Sequence, residues 1–219
     1  MGEGGDGGGE GGDFALLAAW RDGDRNAGQE LARRHYKAVR RFITGKLGEE
    51  AARDIAQKTF LTLCEKRDDF GGRSAFRTYL FGIARFKVIE HLRRDRGLGG
   101  AFDPLTDSWC DPNLEATLSS LLGRGDHERI VVQALRSLSL DDQFLLELKA
   151  VEGMKNREIA EVLCTTTGAV GGKLVRARER LAKIVGTLTA DPILRTATDR
   201  RLDDWVASVC EQMAAGQAG

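Results

Sequence analysis

From Asp13 onward the apolar positions recur at helical spacing. Leu31, His35, Ala38, Val39, Phe42 and Ile43 form one stripe, and Ala52, Ile55, Ala56, Thr59, Phe60 and Leu63 repeat it. This i, i+3, i+4 recurrence gives a helix one buried face. A third stripe, Phe76, Leu80, Ile83, Ala84 and Leu92, runs to about Arg94. Gly23-Asp24, Thr44 to Gly48 and Asp68 to Gly72 supply turn residues between the three. The pattern then lapses, and Gly97, Gly99, Gly100, Pro104, Pro112, Gly123 and Gly125 mark a linker over 97–126. Helical spacing returns at Ile130, Leu135 and Leu138, continues through Phe144, Leu145, Leu148 and Val151, then Ile159, Ala160 and Leu163. It ends on Val170, Leu174, Ala177 and Leu181. No alternating strand pattern competes, so the expectation is all-α: two small helical domains, 13–96 and 127–186, joined by a flexible linker. Residues 1–12 hold eight glycines and three acids, too little apolar surface to offset ordering, and read as a disordered tail. Residues 187–219 read as an extension in which Asp199 to about Met213 forms a helix with a Leu202, Val206, Val209 stripe.

Charge changes the picture only locally. Lys plus Arg and Asp plus Glu each total 33 in 219 residues, so the formal charge is zero and the global field names no partner. Between Arg73 and Arg96, however, seven basic residues face two acids, on the same stretch as Phe76, Tyr79, Phe81 and Phe86. Cations suit phosphates and aromatic faces suit unpaired bases, which points to single-stranded or melted DNA. The same composition would also serve a solvated face over an aromatic core. A second basic stretch, Lys155, Arg157, Lys173, Arg176, Arg178, Arg180 and Lys183, has a more telling layout. A short helix from about Asn156 to Leu163, a turn through Cys164 to Gly168 and a longer basic helix match a helix-turn-helix, with Thr166 or Thr167 as N-cap. A bare helical hairpin with a charged face is the alternative.

Cys64, Cys110, Cys164 and Cys210 include no C-x-x-C pair, and His35, His91 and His127 are as scattered. The expectation is therefore buried, small apolar cysteines, with no metal, no cofactor and no disulfide framework. No apolar run approaches the roughly 18 residues of a spanning helix, which suggests a cytoplasmic protein without membrane insertion. The chain carries no nucleophile elbow, phosphate-binding glycine loop or His/carboxylate set at ligand spacing, so it is not expected to be an enzyme.

Two blocks resemble a known family. Asp54 to Leu61 (DIAQKTFL), Phe70 to Arg85 (FGGRSAFRTYLFGIAR) and His91-Leu92-Arg93-Arg94 look like region 2 of the extracytoplasmic-function (ECF) type of RNA polymerase sigma factor. Glu158 to Leu163 (EIAEVL), Ala169-Val170 and Arg176 to Glu179 (RARE) look like region 4. The resemblance implies that Asp54, Gln57 and Phe60 dock on bacterial RNA polymerase core. It implies that the Asp69–Ser74 loop, with Phe70, Arg73, Phe76, Arg77 and Tyr79, captures a flipped base of the minus-ten promoter element, an extrusion that costs a few kcal/mol. Arg85, Lys87, His91 and Arg93 would face the adjacent DNA. Thr166, Thr167, Gly171, Gly172, Lys173, Arg176 and Arg178 fall where region 4 meets the minus-thirty-five element.

Departures from the family pattern matter too. Tyr79 stands where the family commonly has tryptophan and Phe86 where it has asparagine. Leu138-Ser139 replaces a common Leu-Pro. Gly171-Gly172 replaces a charged and a hydroxyl residue in the recognition helix, which would shift minus-thirty-five binding toward phosphate contacts and DNA shape. Promoter DNA and an anti-sigma protein are the implied further partners. A helix-turn-helix regulator that does not engage polymerase is the rival reading.

Overall fold

In the computed structural model, residues 10–95, 102–108 and 126–189 are described, and the expected C-terminal helix falls outside them. The longest element, α2 (Arg25–Glu65), starts where Asp24 caps it, its carboxylate accepting from the Asn26 and Ala27 amides at 2.8 and 3.3 Å. Midway, Gly48 takes φ 75°, ψ 175° and breaks the ladder into two limbs. Only glycine adopts that backbone without strain, so the expected turn at Thr44 to Gly48 shrinks to one residue. Both stripes read from the sequence face inward: Leu31, Val39, Phe42, Ile43, Ala52, Ile55 and Ala56 are buried.

Ahead of α2, helix α1 (Glu10–Arg21) begins inside the segment expected to be disordered. Its apolar residues explain why: Leu17 is buried and Phe14 and Trp20 pack on the core, and the helix they stabilise extends back through Gly12 and Gly11. Asp13, also expected at the edge of order, is buried with an oxygen 2.7 Å from His35 Nε2. Helix α3 (Phe76–Asp95) lies against both, and Phe76, Leu80, Ala84, Val88 and Leu92 close the first half.

The second half holds α4 (Asp126–Arg136), α5 (Leu140–Ala150), α6 (Asn156–Val162) and α7 (Thr167–Leu188). Ser139, which stands in for the commoner proline, caps α5 through its hydroxyl to the Asp142 amide at 3.3 Å. The expectation of an all-α chain holds among the described residues, whose one departure is an isolated Ser108–Ser139 bridge. That bridge belongs to a short piece of the expected linker, which lies along α5: the Leu140 amide donates to the Asp107 carbonyl at 3.0 Å and the Asp141 amide to the Pro104 carbonyl at 2.9 Å. Phe102, at its start, is 2% exposed.

The two halves share one core. Phe42 of α2 and Phe144 of α5 stack at 5.0 Å between ring centroids, and Phe42 meets Phe81 edge-on at the same distance. All three are fully buried. Each buried aromatic contributes about 1.5–3 kcal/mol, and the paired rings add about 0.5–1.5 kcal/mol.

Candidate nucleic-acid and partner interfaces

The loop between α2 and α3 is fixed from behind. Arg21 donates through Nε to the Arg67 carbonyl at 2.9 Å and through Nη2 to the Phe70 carbonyl at 2.6 Å, tying the loop to the end of α1. Phe70 is buried, stacked on Phe14 at 6.1 Å, edge-on to Phe76 at 6.1 Å and 4.7 Å from Tyr79. Gly72 turns the loop at φ 67°. Phe70 and Phe76 thus form the loop's floor, while Arg73 stays exposed at its rim and Tyr79 is half-buried beside it. Burial, reinforced by the Asp69 carboxylate, raises the Tyr79 hydroxyl above its ordinary pKa. It remains neutral at physiological pH and can stack or donate a hydrogen bond.

Along α3 the basic residues divide into two sets. Arg77 and Arg85 turn toward the second half: Arg77 donates to the Glu152 carbonyl at 2.8 Å and ion-pairs with its carboxylate, and Arg85 pairs with Asp141 at 2.7 Å. Lys87, His91 and Arg93 make other contacts. Lys87 pairs with Glu90 at 3.0 Å and sits 5.7 Å from the Phe86 ring centroid. Phe86 itself is 61% exposed, an aromatic left in water amid cations. Arg93 is exposed, with Nε 3.4 Å from the Phe102 carbonyl, and His91 is half-buried.

The second limb of α2 presents another surface. Asp54 is exposed and pairs with Lys58 at 2.5 Å, Gln57 is exposed, and half-buried Phe60 leans on Tyr36 at 5.8 Å. Leu61, next to this group, is 61% exposed. The sequence reading passed over Leu61 and Tyr36. Their signal was an apolar side chain off the buried stripe, on a helix that already fills its stripe.

In the second half, α6 and α7 form a helix-turn-helix. Cys164 takes φ 52° at the turn, and Thr166 caps α7 by accepting from the Ala169 amide at 3.3 Å. Val170, Leu174, Ala177, Leu181 and Val185 face inward. That leaves Thr167 and Arg176 exposed and Gly171, Gly172, Lys173 and Arg178 partly so. Lys173 Nζ lies 3.9 Å from Asp141. Arg180, which the sequence reading had not placed in a site, grips Asp142 with two bonds of 2.7 Å, and that hydrogen bonding raises its pKa further.

Two cysteines correct the expectation of buried thiols: Cys64 and Cys164 are exposed. Cys64 follows the last inward residue of α2, Leu63, and so points outward, while Cys164 occupies the left-handed turn position. Cys110 and Cys210 lie outside the described residues. Among the described residues no cluster of His, Cys, Asp and Glu has the arrangement of a metal site, and no helix is long and apolar enough to cross a membrane.

Comparison with known proteins agrees with this division. Residues 31–97 match the Sigma-70 region 2 family and residues 128–181 the Sigma-70 region 4 family. The chain is 33% identical over 184 residues to the ECF RNA polymerase sigma factor SigG of Mycobacterium tuberculosis, covering 75% of this chain and 49% of SigG. It therefore spans about half the length of that relative. Among solved structures, CnrH in complex with the cytosolic domain of CnrY shares 25% identity, with a TM-score of 0.53 over 81% of this chain and 99% of CnrH. The sigma factor RpoE of Bartonella quintana, solved with the anti-sigma factor NepR, shares the fold, with a TM-score of 0.54 at 21% identity over 72% of this chain and 96% of RpoE. With region 2 and region 4 in order on an all-helical frame, the chain belongs to the ECF type of the sigma-70 family.

Proposed function

We propose that this protein is a cytoplasmic, non-enzymatic initiation factor that directs bacterial RNA polymerase core to promoters. The observation that carries the reading is the pairing, on one chain, of a buttressed aromatic loop beside a basic helix with a capped helix-turn-helix. Phe70 and Phe76 hold the loop from beneath. Arg73 and Tyr79 at its rim would receive the extruded minus-ten base, stacking and hydrogen bonding offsetting the unstacking cost. Phe86, Lys87, His91 and Arg93 would follow the neighbouring strand, Phe86 by stacking and the others through phosphates. Asp54, Gln57, Phe60 and Leu61 suit a helical partner on polymerase: exposed polar groups around an apolar centre.

For region 4, the residues at the DNA-facing turn support phosphate contact more than base readout. Thr166 and Thr167 sit at the helix N-terminus, where amides and dipole favour anions, and Lys173, Arg176 and Arg178 continue along the helix. Gly171 and Gly172 offer no side chain to a base edge. An anti-sigma protein is the expected regulator.

The test is in vitro transcription with bacterial core polymerase and promoter fragments, alongside core pull-down. Transcripts sharing an upstream motif, lost in Asp54→Lys with Phe60→Ala, would support the reading. A protein that binds DNA but never core would replace it with a polymerase-independent regulator.

A further inference from the structure

The charge between the two halves is sorted by sign. Among the described residues, the ion pairs that join the two halves take their cation from region 2 (Arg41, Lys46, Arg77 and Arg85) and their anion from region 4 (Asp141, Glu147 and Glu152), while Lys173 of region 4 approaches Asp141 from its own side at 3.9 Å. Glu152 receives Arg41 at 2.5 Å and Arg77 from the other side, and its side chain is wholly buried. Lys46 pairs with Glu147, both almost fully buried, with the ammonium 4.3 Å from the Phe42 ring centroid and 5.3 Å from that of Phe144. Arg85 closes the far side on Asp141. Two of these cations, Arg77 and Arg85, are residues that the family resemblance places on minus-ten DNA.

We infer that the acidic face of region 4 stands in for DNA phosphates and holds the chain in a closed state that cannot engage a promoter. This deepens the proposed function and rests on it. Two arguments carry it. First, Arg77 and Arg85 already have buried carboxylate partners in partly buried pairs, which salt screens far less than pairs at the surface, so phosphates must displace those carboxylates. Second, the two promoter elements lie about 25 base pairs apart, about 85 Å along the duplex, whereas Phe42 and Phe144 are in ring contact. Touching domains cannot sit on both elements, so binding to a whole promoter requires the seam to part. The chain thus encodes its own competitor for the basic surface, independently of any second protein. An anti-sigma protein would have only to stabilise a closure already present, and polymerase core would have to open it.

The exposed thiols provide the readout, since Cys64 lies in region 2 and Cys164 in region 4. Full-length protein with Cys110→Ser and Cys210→Ser is labelled at both with a donor–acceptor pair. Wild type is compared with Glu152→Gln plus Asp141→Asn, circular dichroism confirming the helical content of each. Energy transfer should fall in the variant, and its affinity for a double-stranded DNA fragment of unrelated sequence should rise about tenfold, the gain expected if one molecule in about ten is open in wild type. A folded variant with unchanged transfer overturns the inference. Should the substitutions unfold the protein, wild type alone decides it: added DNA that binds without lowering the transfer overturns closure, and binding in step with lost transfer supports it. If neither form binds DNA but the variant opens, the closed state stands and the DNA-contact assignment falls.

Discussion

Replacing both Gly171 and Gly172 by alanine should stabilise the protein without sharpening its choice of DNA. Both glycines lie in α7 past its first turn, where glycine costs about 0.8–1.0 kcal/mol against alanine because it loses more backbone freedom. Space permits the exchange: a Cβ at Gly171 meets nothing within 4 Å, and at Gly172 the nearest atom is the Arg176 Nη1 at 3.3 Å, the far end of a flexible side chain. The pair should therefore add about 1.6–2 kcal/mol. For a chain of this size that is a rise of about 3–8 °C in Tm, readable by thermal and urea denaturation of the full protein. A methyl group carries no donor or acceptor, so the ratio of specific to non-specific DNA affinity should not move. Gly171→Arg with Gly172→Ser, in contrast, supplies both and should raise affinity for the promoter. An unchanged or lower Tm in the double alanine variant would refute the account of these glycines as a simple helix cost. It would imply that the backbone is kept bare for close approach of another molecule. No gain in promoter affinity from the Arg-Ser variant would refute the account of a recognition helix short of base-reading groups.

Other outcomes follow from single contacts. Thr166→Ala removes the side-chain acceptor for the Ala169 amide and should cost about 1 kcal/mol, measurable by urea denaturation, with weaker DNA binding. Arg176→Ala should weaken DNA binding equally across sequences and reduce the salt slope of log K by about 0.9, as loss of one phosphate contact requires. Phe86→Asn should weaken binding to a fork-junction promoter by about 1–3 kcal/mol, the worth of a stacked base, and leave fully duplex DNA unaffected. Equal affinity of the two proteins for the fork would leave Phe86 as a bystander. Phe144→Ala should destabilise the chain by about 3–5 kcal/mol, because the ring is fully buried against Phe42.

The helices were legible because hydrophobic spacing reports directly which face of a helix is covered. Val39, Phe42, Ile55 and Leu63, on the stripes of α2, are all buried, and position before an apolar-periodic run narrowed the cap of α7 to Thr166 or Thr167, of which Thr166 caps it. What that spacing does not report is what does the covering. Lys46 fell within a stretch of turn residues and nothing in the spacing singled out Glu147 or Glu152, yet all three are buried in ion pairs formed with partners remote in sequence. Arg41 and Glu152 are 111 residues apart, a separation that no local pattern can signal. Arg77 and Arg85 illustrate the same limit from the other side, since a basic helix face looks alike whether it awaits phosphate or already holds carboxylate. The cysteines misled because residue type says how often a thiol is buried, whereas the outward phase of Cys64 on α2 decides it.

The piece of linker along α5 bears on how strong the closure needs to be. Through the Pro104 and Asp107 carbonyls it is bonded to the start of α5 in region 4, and through the Phe102 carbonyl to Arg93 of region 2. Both halves are thus tethered a few residues apart, and a tether of this kind sets an effective concentration of about 1 mM for one domain at the other. At that level even a seam with a dissociation constant of about 100 μM between separate domains would stay shut in about nine of every ten molecules. Cleaving the chain between Ser108 and Asp126 would turn the same seam into a bimolecular complex that falls apart on dilution.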